Sequence, residues 1–159
     1  LSSICEKAAA ADIRVLVENH GGYSSNPSWL SSLIREVKSP HCGVLLDMGN
    51  FCHRWRKTTD GSELECVDGF DPYEGTSMLL PLAKGVTAKF FGFSDAGEDI
   101  RLDYRRLIGS IIGSGFDGYI GIEYAGDTHP ESKGIRLGKA LLDKTIREIY
   151  AEPHTPEKK

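Results

Sequence analysis

The stretch Ile13-Arg14-Val15-Leu16-Val17-Glu18-Asn19-His20-Gly21-Gly22 decides the fold. Its first five residues are mostly β-branched or apolar and read as a buried strand. The run stops at an acid, and two glycines follow. Asn26-Pro27 then announces a helix, with Asn as cap and Pro at the first helical position. Trp29, Leu30, Leu33, Ile34 and Val37 recur at helical spacing, so Trp29 is expected in the core, and Ser39-Pro40 ends the run. Upstream, Ile4 to Asp12 reads as the end of a preceding helix.

Downstream the unit repeats. Gly43-Val44-Leu45-Leu46 is a short apolar strand ending at Asp47-Met48-Gly49-Asn50. Arg54 to Gly69 is polar and reads as a loop. Asp71-Pro72 opens a helix carrying Met78, Leu79, Leu82 and Ala83 on its inner face. Gly85 to Phe93 is a third strand and Ser94 to Asp99 a turn. Asp103 caps a helix with Tyr104, Leu107, Ile108, Ile111 and Ile112 inside. Tyr119-Ile120-Gly121-Ile122 is a fourth strand ending at Glu123, and a last amphipathic helix runs from about Ser132 to Tyr150. Glycines 85, 113, 115 and 118 read as turn and C-cap positions. Strands alternating with helices of this length predict right-handed crossovers and a parallel α/β sheet. Continuously apolar strands predict burial on both faces.

The 159 residues carry a net charge of −4. Apolar runs are far shorter than the roughly 20 residues a bilayer requires. No basic stripe suggests nucleic acid, and no secretory leader is visible. The cysteines (Cys5, Cys42, Cys52, Cys66) contain no C-x-x-C and are expected to be reduced thiols in a cytoplasmic protein. The adjacent His41-Cys42 and Cys52-His53 pairs lack zinc-ligand spacing.

Glu18, Asp47 and Glu123 each follow an apolar strand. In parallel βα proteins the carboxyl ends of all strands share one face, where ligands bind. Converging carboxylates repel unless a cation holds them, which is the case for a divalent metal. The competing reading is that each acid caps the following helix, but Glu18 and Asp47 stand several residues too early for that. His20 is either a site residue or a loop histidine satisfied by backbone. Lys89 either contacts substrate or pairs with a strand-end acid. Asn19 reads as a turn residue. Trp55 is either a lid over the site or a packed loop aromatic. Arg101-Leu102-Asp103-Tyr104 reads as a cap and packing signal.

Val17-Glu18-Asn19-His20-Gly21-Gly22, Leu45-Leu46-Asp47-Met48-Gly49-Asn50 and Ile122-Glu123-Tyr124 resemble the strand-end motifs of the sugar phosphate isomerase/epimerase family, in the xylose isomerase-like TIM-barrel superfamily. The resemblance implies a parallel (β/α)8 barrel of which about four βα units are present. Residues 1–151 would be its C-terminal half and 152–159 a polar tail. A chain beginning at Leu1 without methionine agrees with a partial product. Such a half leaves sheet edges open, so poor stability or self-association into a homo-oligomer is expected.

The resemblance further implies isomerisation or epimerisation of a sugar, sugar phosphate or related polyol through an enediolate. Glu18 and Glu123 would be the catalytic acid and base. Glu18, Asp47 and Glu123 would ligate Mn²⁺, Mg²⁺ or a similar metal, and His20, Asn50 and Lys89 would bind substrate. Thr87 stands where the family has its histidine ligand, and Asn50 where epimerases often carry a substrate-binding histidine. The alternative reading is a non-catalytic sugar-binding or regulatory barrel that has lost a metal ligand. A phosphodiesterase resembling endonuclease IV would need a His-rich trinuclear site, and the chain's histidines do not supply one.

Overall fold

The computed structural model describes residues 1–61 and 64–151. The polar tail expected over 152–159 lies outside the described residues. The chain starts with α1 (Ser2–Ala9), then β1 (Val15–Glu18), α2 (Pro27–Val37), β2 (Cys42–Asp47), β3 (Cys52–Lys57) and β4 (Leu64–Gly69). After these come α3 (Pro72–Leu79), β5 (Ala83–Phe90), α4 (Tyr104–Gly113), β6 (Ile120–Tyr124) and α5 (Glu131–Ala151). Four strands form a parallel sheet in the order β1-β2-β5-β6. Each parallel step is crossed by a helix, as the alternating pattern predicts. No helix among the described residues is long and apolar enough to cross a membrane.

The predicted helix starts hold because each cap satisfies N–H groups that the first turn leaves free. Asn26 Oδ1 accepts from the Trp29 N–H at 3.0 Å. Asp71 Oδ1 accepts from the N–H groups of Tyr73 and Glu74, and Asp103 Oδ1 from Arg106. Helix α2 ends on Lys38 in the left-handed region, φ 52°.

The strand period of two sorts the sheet into two faces. Val44, Leu46, Val86, Ala88 and Phe90 are buried beneath Leu30 and Ile34 of α2, Leu79 of α3 and Leu107, Ile108 and Ile111 of α4. Phe90 stacks on Tyr104 with ring centroids 4.4 Å apart. Gly138 lets α5 lie on the same ring, since a Cβ there would come within 2.5 Å of Phe90. The other face carries Leu16, Leu45, Gly85 and Thr87, and it is only half-buried. Burial on both faces, expected from the apolar runs, therefore holds on the helix side alone. The opposite face is the one that a complete barrel would turn inward.

Several sequence expectations fail: on α3, Met78 is exposed rather than inward, and Leu82 and Ala83 lie past its end. The stretch read as a loop holds two strands: β3 and β4 pair antiparallel, with Trp55 opposite Cys66 and Arg56 opposite Glu65. The stretch lacks apolar alternation because most of its described strand side chains are exposed, so it carries no strand signal. Cys52 and Cys66 form a disulfide across this hairpin, whereas Cys5 and Cys42 are free and buried. The expectation of four reduced thiols is overturned, and with it the cysteine argument for a cytoplasmic location. Trp29 is 43% exposed, lying against Tyr23 rather than in the core. Of the glycines read as turns, Gly115 has the positive φ (75°) of a C-cap. Gly85 instead lies inside β5, where a side chain would crowd Leu16 and Leu45.

Candidate metal centre

Register brings the strand-end acids together. Glu18 pairs with Leu45, Asp47 with Thr87, and Lys89 with Glu123. By parity, Glu18, Asp47, Thr87, Lys89 and Glu123 all project from the half-buried face. One carboxylate oxygen from each of Glu18, Asp47 and Glu123 lies within 4.8 Å of the other two. None of the three caps a helix in the structure. The shared-site reading therefore prevails over the capping one.

Asp47 is the buried member, with no exposed surface. Its Oδ1 accepts from the Gly49 N–H at 2.7 Å, while its Oδ2 is buried without a hydrogen-bond partner. Burial pushes the carboxyl from its ordinary 3.8 up to about 7, against the lowering pull of the Gly49 N–H and Lys89; Glu123 and Glu18 push it higher. A buried carboxylate oxygen without a hydrogen bond, in a cluster where three acids bring oxygens within 4.8 Å of one another, is an arrangement that a hard divalent cation would satisfy. The donor set fits a divalent cation, which Glu18, Asp47 and Glu123 would hold.

Lys89 is 8% exposed. Its Nζ donates to Glu123 Oε1 at 2.6 Å and lies 3.9 Å from Asp47 Oδ2. Of the two sequence readings, the pairing with a strand-end acid is the contact made. From the helix side, the Tyr104 hydroxyl donates to the Lys89 carbonyl at 2.9 Å and fixes the end of β5. Thr87 stands beside Asp47 in register, at the position where the family's histidine was expected.

Asn19, read from sequence as a turn residue, is fully buried. Its Nδ2 donates to the Asp47 carbonyl and its Oδ1 accepts the Asp47 N–H, both at 2.8 Å. A side-chain amide carries the same donor and acceptor as a peptide unit. Asn19 thus extends the β1–β2 pairing past Glu18 and sets the direction in which Asp47 leaves the sheet. Its place right after a strand-end acid was the signal available in the sequence.

The Asn50 carbonyl accepts from Ser25 Oγ at 2.6 Å and from Asn19 Nδ2 at 3.3 Å, leaving its own Nδ2 buried and unpartnered. His20 lies beyond the end of β1 and is exposed. Its N–H donates to Ser24 Oγ at 2.8 Å, and its ring is not part of the acid cluster. The strand parity that would align it with Glu18 ends with the strand, because the chain turns at Gly21 and Gly22, both at positive φ.

The profile of the xylose isomerase-like TIM barrel family matches residues 1–145. The chain belongs to this family. Two solved structures show the same fold for this xylose isomerase-like chain. A D-tagatose 3-epimerase-like protein aligns with a TM-score of 0.65 at 19% identity, over 94% of this chain and 52% of that one. A xylose isomerase domain protein from Planctomyces limnophilus aligns with a TM-score of 0.63 at 15% identity, over 94% and 50%. The chain spans about half the length of these structures. No curated protein sequence matches it.

Proposed function

We propose that the protein is a metal-assisted isomerase or epimerase of a sugar, sugar phosphate or related polyol. The observation carrying this reading is the convergence of Glu18, Asp47 and Glu123 at the carboxyl ends of parallel strands, with Asp47 fully buried and its Oδ2 without a hydrogen bond. The names of the two structural neighbours support the same reaction class. A divalent ion held by Glu18, Asp47 and Glu123 supplies polarisation of the substrate carbonyl and its neighbouring hydroxyl.

The remaining steps belong to the chain. Glu18 and Glu123 come from the two outer strands of the sheet. One removes the proton from the carbon beside the carbonyl, and the other returns a proton to the enediolate that results. Lys89 donates to Glu123 Oε1 and orients it, and its ammonium would meet a developing oxyanion. Asn50 Nδ2 offers a donor to a substrate hydroxyl. His20, on the exposed rim, is left with an outer hydroxyl contact.

Glu123→Gln tests this. It should abolish turnover of a ketose panel with Mn²⁺ present while leaving the far-ultraviolet circular dichroism unchanged. A panel in which the wild-type protein turns over no sugar would sink the enzymatic reading. One observation favours the second reading, a non-catalytic sugar-binding barrel: the Lys89 ammonium already stands among the acids, and Thr87 replaces the fourth ligand. Calorimetric titration with Mn²⁺ separates the two, since the non-catalytic barrel predicts no binding.

A further inference from the structure

A cleft of about 600 Å³ opens between the β3–β4 hairpin and the segment joining β5 to α4. That volume suits a small ligand. The acids do not line it. It begins beside them, at Gly49, whose N–H holds Asp47 Oδ1, and at Phe91, two residues past Lys89. Gly49 lets Phe91 and Lys89 lie close on this edge: a Cβ there would fall 2.9 Å from the Phe91 ring and 3.2 Å from Lys89 Cδ. The walls are Phe51, Phe70, Phe91 and Trp55, the last half-exposed at 50%.

The charged groups on this cleft divide cleanly. Asp71 Oδ1 is occupied capping α3. Asp68 Oδ2 lies 3.2 Å from His53 Nε2 and 3.7 Å from Arg54. Arg101 differs: among the described residues its guanidinium makes no ion pair and rests over the Phe91 ring, 4.5 Å from the centroid. Its backbone is fixed, because Asp99 accepts from the N–H groups of Phe91, Arg101 and Leu102. The result is an uncommitted guanidinium on a braced loop, at the mouth of an aromatic cleft that starts beside the acid cluster. Aromatic faces suit the C–H faces of a carbon chain, and a free guanidinium suits a planar or tetrahedral oxyanion.

We infer that this cleft is the subsite for the anionic end of the substrate, and that Arg101 binds its phosphate or carboxylate. The inference deepens the proposed function and rests on it for the identity of the ligand as a sugar. Phe91 follows Lys89 by about 7 Å of extended chain, comparable to the carbon skeleton of a sugar reaching from the acids to Arg101. A neutral ketose would leave the guanidinium unsatisfied, so selection for an anionic sugar follows.

The test titrates the protein with inorganic phosphate and, separately, with acetate at constant ionic strength, reading Trp55 fluorescence in a Trp29→Phe background. The expected result is saturable binding of one anion that Arg101→Gln weakens by roughly 10- to 100-fold and Arg101→Lys by less. Phosphate as the bound ion assigns a sugar phosphate, and acetate a sugar acid. The same variant should raise KM for the anionic sugar by a similar factor while leaving kcat within about twofold. Neither anion binding, or equal binding in Arg101→Gln, overturns the inference even if neutral ketoses turn over. Anion binding that depends on Arg101 in a protein that turns over no sugar would instead defeat the isomerase reading alone.

Discussion

Asp47→Asn separates what the buried acid costs the fold from what a cation bound there would provide. In the wild type the ionised carboxylate sits fully buried, with one oxygen bonded to the Gly49 N–H and the other without a hydrogen bond, 3.9 Å from Lys89 Nζ. Moving its pKa from 3.8 to about 7 disfavours the folded ionised form by roughly 4 kcal/mol. The sign follows from proton linkage. Between about pH 4 and 7 the folded state binds a proton that the unfolded state has released, so stability falls as pH rises through that window and levels off above it. Asparagine keeps the acceptor for Gly49 and carries no charge, but it leaves a buried amide donor poorly paired at a cost of about 1–3 kcal/mol. In EDTA at pH 8 the variant should therefore be about 1–3 kcal/mol more stable than the wild type, a rise of several degrees in Tm. At pH 5, where Asp47 is largely protonated, the gain should vanish or reverse. Excess Mn²⁺ should stabilise the wild type, by about 3 kcal/mol at a hundredfold excess over Kd, and leave the variant unmoved. Paired thermal melts at pH 5 and 8, with EDTA or Mn²⁺, read all four conditions. If the variant is destabilised by the same margin at both pH values in EDTA, the carboxylate is not under desolvation strain and the argument for a cation there fails.

Three further outcomes follow from particular contacts. Asn19→Ala removes both amide bonds to the Asp47 backbone and should lower stability by about 2–3 kcal/mol in urea melts; a change below 0.5 kcal/mol would contradict its role as a strand extension. Thr87→His puts an imidazole beside Asp47 in register and should tighten Mn²⁺ binding about tenfold or more by calorimetry, whereas unchanged affinity would place residue 87 outside the ligand sphere. Cys66→Ser opens the hairpin disulfide, whose partners are 14 residues apart. It should cost up to about 3 kcal/mol and make the 52–69 segment the first site of limited proteolysis, while equal protease resistance would show that the disulfide braces nothing.

The βα alternation, the helix starts at Asn26, Asp71 and Asp103, and the strand-end placement of Glu18, Asp47 and Glu123 were legible because each depends on near neighbours in the chain. A cap acts within three residues, and a buried strand declares itself by its own apolar run. The hairpin, Cys52–Cys66 and the buried Asn19 were not legible in the same way. The hairpin strands are polar and exposed, so no hydrophobic period marks them. The cysteines meet only once an antiparallel register is chosen. Asn19 is an ordinary turn residue until β2 lies beside it and presents a peptide unit to copy.

The site divides along the same line. Sequence alone determined that three acids end three strands, because strand termini and parity are local properties. That one oxygen from each acid comes within 4.8 Å of the others, that Asp47 Oδ2 is left buried without a hydrogen bond, and that Lys89 lies against Glu123 rather than free were decided only by the β1-β2-β5-β6 order and its register. The physical reason is that desolvation and Coulomb interaction depend on distances across the sheet, and those exist only after the strands have paired.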